Sequence, residues 1–283
     1  MLETILLRQK AIVGSNHRDT LITLWYAVTA CLRDGGSPGL IAIISELRDS
    51  PKGHLQNGDE ITQLFALDTM SGLGRILIRE RQFESALQLF RDTVAICKAT
   101  FATDHEWVTP QSMADLAKAY DLTKHYSEAE ALAKEWLSHC RAKSPTNSLE
   151  SVDALQWLGL SLLRQNKFEE AVVFLRECDA IPPAGNLFQD WNRAWVKSLL
   201  GGALLGQGKL AESEPSLLAG YDGMTKPRKK KGETDWHYGE SYLGDTLTRL
   251  VQLYTAWDKP EKAAEWQKKL DEFDKAAAEK KKQ

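Results

Sequence analysis

The sequence is short of the residues and segments that mark a secreted or membrane-bound protein. It has four cysteines, Cys31, Cys97, Cys140 and Cys178, which are far apart and form no Cys-x-x-Cys pair. This spacing favours reduced thiols over a disulfide framework or a zinc site. No apolar run approaches the roughly 18 residues that a membrane-spanning helix needs, and the acidic Glu3 argues against a secretory signal. We therefore expect a cytoplasmic protein without a membrane segment.

An excess of charge of either sign is also missing. The chain of 283 residues has 36 lysines and arginines against 39 aspartates and glutamates, which gives a formal net charge of −3. Nucleic-acid binding requires an excess of basic charge, so no nucleic-acid partner is expected. The charged fraction of 27% and the hydrophobic fraction of 43% are ordinary for a folded globular chain.

The chain lacks the motifs of common catalytic and cofactor sites. His17-Arg18-Asp19 matches the kinase catalytic triplet, but Leu24 occupies the position of the required asparagine. The glycine-rich segment 201–209 resembles a phosphate-binding loop, but Ala203 and Leu210 replace its required glycine and hydroxyl residue. There is no His-x-x-x-His pair. We predict no enzymatic activity, no cofactor and no metal site.

What the sequence does contain is one pattern in five copies. In the clearest copy, Leu155, Leu158, Gly159 and Leu162 have helical spacing and are followed by a second apolar stripe that contains a small residue. The small residue recurs at intervals of 43, 42, 42 and 50 residues in the successive copies, as Ala86, Ala129, Ala171, Ser213 and Ala263. Near-constant intervals of this size indicate an internal repeat.

Each copy predicts a pair of helices that is unstable alone. Gly74, Gly159 and Gly201 recur at one position of the first helix, although glycine there costs roughly 1 kcal/mol relative to alanine. Their recurrence indicates close packing between helices. Because no pair can bury its own apolar face, neighbouring pairs must stack. The sequence therefore predicts an all-α solenoid.

The repeated pattern resembles the tetratricopeptide (TPR) repeat over nearly the whole chain, which implies a right-handed superhelix of antiparallel helix pairs with a concave groove. The links at 14–21 and 103–109 are similar to the Gly-x-x-His-x-x-Thr linker of the 42-residue repeats of kinesin light chains. In each link the histidine and the threonine are expected to bridge the turn and cap the next helix; the two pairs are His17 with Thr20 and His105 with Thr109. Thr20 or Thr109 is a candidate N-cap.

Residues 217–266 resemble a narrower group, the closing repeats of large bacterial serine/threonine kinases. In those proteins a kinase domain precedes the TPR array. The resemblance implies that this chain is the docking or regulatory part of such a kinase, or a free-standing relative. It makes a serine/threonine kinase domain an expected partner.

We predict seven segments along the chain. They are residues 1–22 (the second helix of an incomplete repeat with its linker), 23–66 (a degenerate repeat), 67–109, 110–151, 152–193, 194–243 (with a basic insertion) and 244–283 (the closing repeat and a polar tail). The chain is thus expected to begin in mid-repeat, with an apolar edge formed by Leu2, Ile5, Leu6 and Ile12. The basic insertion, 226–231, is expected to be a solvated loop, with an acidic partner as the alternative.

Tryptophan and arginine are favoured anchors in protein interfaces. In the TPR register, several of them occupy first-helix positions that usually face the concave groove. The candidate groove residues are Arg75, Lys118, Gln156, Trp157, Trp195, Arg249 and Gln252. The leading hypothesis is a scaffold that binds a peptide or a partner domain in this groove. The alternative is a homo-oligomer formed through the incomplete first repeat.

Overall fold

Helices account for nearly all of the computed structural model, which describes residues 2–100, 108–143, 150–182, 187–226 and 238–280. These residues contain no β-strand. The chain divides into two units, Met1–Leu132 and Ala133–Gln283.

The first unit begins with a lone helix and a broken helix pair. Its helices, the last of which continues into the second unit, are α1 (Leu2–Val13), α2 (Arg18–Asp34), α3 (Pro38–Glu46), α4 (Ser50–Asn57), α5 (Glu60–Arg79), α6 (Phe83–Thr100), α7 (Val108–Leu122) and α8 (Tyr126–Lys143). Pro51 lies in the first turn of α4, where it prevents α3 and α4 from forming one continuous helix. The core forms where α2 packs on α5 and α5 on α6.

The second unit contains three further helix pairs, in which the first helix of each pair packs on the second. They are α9 (Glu150–Arg164) with α10 (Phe168–Ala180), α11 (Leu187–Gly206) with α12 (Leu210–Thr225), and α13 (Tyr238–Ala256) with α14 (Pro260–Lys280). Leu217 of α12, Leu250 and Tyr254 of α13, and Trp266 of α14 form one buried cluster at the end of the chain. The apolar stripes predicted from the sequence are therefore the faces on which the helices pack.

One turn conformation joins the two helices at five places along the chain. A residue with positive φ, between 53° and 72°, precedes each second helix: Arg81, Lys124, Asn166, Gly208 and Asp258. The next residue donates its backbone N–H to a carbonyl five residues back, over 2.8–3.0 Å, as Gln82 does to Leu77. This is the Schellman arrangement that ends a helix. Its intervals of 43, 42, 42 and 50 residues equal those of the small residues in the sequence repeat.

The recurring glycines face the large side chain of the partner helix. A Cβ atom at Gly159 would lie 2.6 Å from Leu175 Cγ, and one at Gly201 would lie 2.6 Å from Leu217 Cγ. These distances are shorter than any relaxed carbon–carbon contact. The glycines thus make room for one leucine of the second helix, which joins the two helices of a pair.

A side chain at Gly159 should therefore destabilise the protein. We expect Gly159→Ala to lower the free energy of unfolding by about 1–3 kcal/mol, because the added methyl group overpacks the contact with Leu175, and Gly159→Arg to lower it further. Thermal unfolding followed by circular dichroism measures both effects. Gly53→Ala is the control, because a Cβ atom at Gly53 meets nothing within 4 Å. An unchanged melting curve for Gly159→Arg would contradict the assigned register.

The predicted helix caps are confirmed only in part. His17, not Thr20, is the N-cap of α2, and its Nδ1 accepts the backbone N–H of Asp19 at 3.2 Å. Thr20 lies inside the helix and bridges the turn by donating its hydroxyl hydrogen to the Gly14 carbonyl at 2.8 Å. His105, the side chain of Thr109 and all of the basic insertion except Lys226 lie outside the described residues.

The predicted segment boundaries remain predictions. Each predicted repeat start falls inside a first helix rather than at its beginning: residue 67 lies within α5 and residue 194 within α11. Helix α5 extends upstream of residue 67 because Asp59 caps it by accepting the backbone N–H of Thr62 at 2.8 Å. None of the described helices is both long enough and apolar enough to cross a membrane.

Candidate functional site

The candidate groove residues all lie on first helices. Within each unit these helices contact one another: α2 contacts α5 and α5 contacts α7, while α9 contacts α11 and α11 contacts α13. Six of the seven candidates are largely buried, and only Gln252 is exposed. Partner binding by these residues stays a prediction, but most of their surface is already covered by the protein itself.

In the first unit, Arg75 and Asp115 form a two-pronged ion pair between α5 and α7. Arg75 Nε and Nη2 donate to the two carboxylate oxygens of Asp115 at 3.1 and 2.9 Å. Burial raises the pKa of Asp115, and the Arg75 guanidinium acts against that rise. Lys118, one turn further along α7, is also buried. This part of the first-helix surface therefore joins helices together and offers a partner little area.

One exposed apolar surface of the first unit lies on α2 and the start of α5. Tyr26 is 56% exposed and Ile61 is 59% exposed, and Leu64 is exposed beside them. Trp25 packs edge-on against Tyr26 and Phe65, with ring centroids 4.9 and 5.1 Å apart. We call these five residues the aromatic patch. Exposed apolar groups that adjoin one another in this way are typical of protein interaction surfaces.

The aromatic patch has an acidic edge. The Trp25 indole N–H donates to Asp68 Oδ2 at 2.5 Å, which fixes the ring against α5. Asp59 and Glu60 begin the same helix, and Arg18 lies 3.9 Å from the Asp59 carboxylate. Apolar rings with polar groups at their margin are the usual composition of an interface.

The aromatic patch lies outside the repeat pattern of the sequence. Ile61, Leu64 and Phe65 precede the repeat register, which was counted from residue 67. Their spacing of three and four residues places them on one face of α5, separate from the buried stripe of Ala66 and Met70. A second apolar stripe on one helix was the signal that would have revealed the patch.

In the second unit the predicted tryptophans belong to a buried aromatic cluster. Trp157 and Trp195 are 9% and 4% exposed and meet edge to face, with centroids 5.4 Å apart. Trp195 also stacks on Tyr242 at 4.5 Å and lies 6.1 Å from Trp191. We call these four residues the tryptophan cluster; Trp191 is its partly exposed member. Aromatic packing thus links α9, α11 and α13.

The polar candidates of the second unit also contact neighbouring helices. Arg249 donates to Ser198 Oγ at 3.1 Å, and the Ser198 hydroxyl lies 2.6 Å from that of Thr246. Gln156 donates its side-chain N–H to the Asn192 carbonyl at 3.5 Å. These contacts leave Gln252 as the predicted groove residue most open to solvent.

Asp153 is a charged group in unfavourable surroundings. Its side chain is partly buried on α9, one turn before Trp157, and makes no hydrogen bond or ion pair with the residues that the structure describes. Burial raises the pKa of Asp153 to about 6, because desolvation disfavours the ionised carboxylate. A raised carboxyl pKa means that ionisation at neutral pH destabilises the folded protein.

Removing this charge should stabilise the protein at neutral pH. We expect Asp153→Asn to raise the free energy of unfolding by about 2 kcal/mol at pH 7.5. The gain should shrink as the pH falls from 6 towards the unfolded-state pKa of about 3.9 and nearly vanish at about pH 3, where the carboxyl is mostly protonated in both states. Urea unfolding at several pH values measures it. Glu170→Gln, which removes an exposed charge of α10, is the control. A gain in the free energy of unfolding of Asp153→Asn that is equal at pH 4 and pH 7.5 would contradict the prediction.

The described residues contain no group of three histidine, cysteine or acidic side chains that could hold a metal ion. All four cysteines are buried as free thiols. Burial raises the pKa of Cys97 to about 11 and that of Cys178 to about 12. Because the thiolate is the reactive form, these two groups are packing residues and weak nucleophiles.

Comparison with known proteins identifies the repeat. A tetratricopeptide repeat family model matches residues 65–142, and a second one matches residues 152–184. No curated protein sequence matches the chain. The chain thus contains TPR repeats, a class of repeat that mediates protein–protein interaction.

Solved structures with the same fold include one that is described as a putative kinesin light chain. The TPR-like repeats of a Podospora anserina putative kinesin light chain superpose with a TM-score of 0.55 and 17% identity, covering 76% of this chain and 99% of that one. BtubC (BKLC) from P. vanneervenii superposes with a TM-score of 0.58 and 16% identity, covering 84% and 91%. At these identities the likeness concerns the fold, and it confirms the predicted all-α TPR solenoid.

Proposed function

We propose that this chain is a non-catalytic scaffold that binds a peptide or partner domain on the faces of its first helices. The observation that carries the proposal is the aromatic patch on α2 and α5, in which Tyr26, Ile61 and Leu64 are exposed. Trp25 and Phe65 are its half-buried members. Large aromatic and aliphatic side chains with an acidic margin form the kind of surface on which an apolar anchor residue of a peptide binds. The resemblance of residues 217–266 to kinase-associated repeats makes a serine/threonine kinase domain the first partner to test.

Peptides selected on the full chain should bind the aromatic patch. We expect a random 12-residue phage library, panned on immobilised protein, to yield peptides whose Kd increases at least 10-fold in the variants Ile61→Lys and Leu64→Lys. A lysine in either place breaks the continuity of the apolar surface. Fluorescence polarisation of the labelled peptides measures the effect.

Val173→Lys is the matched control, because Val173 is a 63% exposed valine on a second helix, α10. It should leave the Kd unchanged. If the selected peptides bind Ile61→Lys and Leu64→Lys as tightly as the original protein, the aromatic patch is not the binding surface.

Self-association through α1 is a second candidate function. Ile12 is 80% exposed, and Ile5, Leu7 and Val13 of the same helix are also exposed, while Leu6 is buried against the first unit. Two of the four residues of the predicted apolar edge, Ile5 and Ile12, are thus exposed. A second copy that packs on this face would cover it by an isologous contact.

Gel filtration with light scattering tests self-association. We expect a dimer of about twice the 31.8 kDa chain mass, because pairing of two α1 faces removes their apolar surface from water. The variant Ile5→Lys/Ile12→Lys should be a monomer. Val173→Lys again serves as the control and should stay dimeric. A monomer for the unaltered chain at 100 μM would exclude this function.

A further inference from the structure

Asp68 is an exposed carboxylate in direct contact with the aromatic patch. Its Oδ2 atom accepts the Trp25 indole N–H at 2.5 Å, and Trp25 packs in turn on Tyr26. The spacing of Ile61, Leu64 and Asp68 is three and four residues, so all three lie on one face of α5, and all three are exposed. The exposed apolar stripe of α5 therefore ends in a negative charge.

This carboxylate can accept further hydrogen bonds. Two carboxylate oxygens together offer about four acceptor positions, and the Trp25 indole uses one of them. Asp68 makes no other hydrogen bond or ion pair with the residues that the structure describes. The bond from Trp25 also fixes the carboxylate in place. Asp68 thus presents an oriented anionic group whose Oδ1 atom is open to a ligand.

The cations of the same two helices are engaged elsewhere. Helices α2 and α5 contain four arginines and no lysine, and each arginine pairs with a group other than Asp68. The pairs are Arg18 with Asp59, Arg33 with Asp34, Arg75 with Asp115, and Arg79 with the Cys31 carbonyl. Glu60, which is exposed directly before Ile61, also has no ion pair within the described part of the chain. The aromatic patch is therefore bordered by two uncompensated negative charges.

We propose that the aromatic patch binds a peptide segment in which a large apolar residue lies next to a lysine or arginine, and that Asp68 binds the cation. The apolar residue packs on Tyr26, Ile61 and Leu64. The methylene groups of the lysine or arginine lie along the same apolar surface while its charged end donates to Asp68 Oδ1. Because Trp25 already holds the carboxylate, little side-chain freedom is lost on binding. The inference rests on the proposed scaffold function and adds the chemistry of the partner.

Synthetic peptide pools test the proposal directly. Each pool has a central tryptophan flanked on both sides by one residue type, lysine, arginine, norleucine or glutamate, with random uncharged residues elsewhere. Norleucine has an apolar stem like that of lysine but no charge. At pH 7.5 and 50 mM NaCl, immobilised full-length protein should retain the lysine and arginine pools about 4-fold more than the norleucine pool, which is the effect that one exposed ion pair can supply. The glutamate pool should be retained least. In 0.5 M NaCl the preference should disappear.

Asp68→Asn is the decisive variant. It removes the charge but keeps a side-chain oxygen that can accept the Trp25 indole N–H, so the aromatic patch should stay intact. We expect it to retain the norleucine pool as well as the original protein does and to show no preference for lysine or arginine. Asp274→Asn is the matched control, because it changes the net charge equally at an exposed position of α14. It should keep the preference.

Three results would overturn this inference: equal retention of the lysine and norleucine pools, a preference that survives in Asp68→Asn, or a preference that is lost equally in Asp274→Asn. The scaffold function stands in each case if Ile61→Lys retains less of the norleucine pool than the original protein. Retention of no pool would overturn both the inference and the scaffold function.

Discussion

The contact between a large apolar side chain of one helix and a glycine of its partner is the interaction on which the rest of this structure depends. Leu175 packs over Gly159 and Leu217 over Gly201, at distances that exclude even a methyl group on the glycine. The Schellman turn before each second helix sets the angle at which the two helices meet. Because the glycine contact and the Schellman turn both recur, each helix pair presents a similar face to the next pair. Stacking of the pairs then buries the apolar surface that a single pair leaves exposed.

Electrostatics differ between the two units within this common scheme. In the first unit the buried carboxylate of Asp115 is matched by the two-pronged Arg75 guanidinium, so charge there stabilises the contact between α5 and α7. In the second unit Asp153 pairs with no cation among the described residues, and burial makes its carboxyl easier to protonate than usual by raising its pKa. The same type of helix face thus carries a satisfied ion pair in one unit and an uncompensated charge in the other.

Much of the architecture could be predicted from single residues. Leu158 and Leu162 are buried where the helical spacing places them, and the intervals between small residues reappear in the turns. The binding residues could not be predicted in the same way. Partner binding by Trp157 and Trp195 stays a prediction. In the structure the two rings pack on each other and Trp195 also stacks on Tyr242, because an aromatic ring on a first helix gains more from burial against the next helix than from exposure to water.

The sequence by itself determined the helix pairs, their intervals and the positions of the small residues, because these follow from local periodicity and from side-chain volume. Only the tertiary structure decided which apolar and charged groups remain open to a partner. Ile61 and Leu67 are both apolar and lie on the same helix, but the first is exposed and the second buried. That difference depends on which neighbouring helix covers each face, and such contacts join residues far apart in the chain.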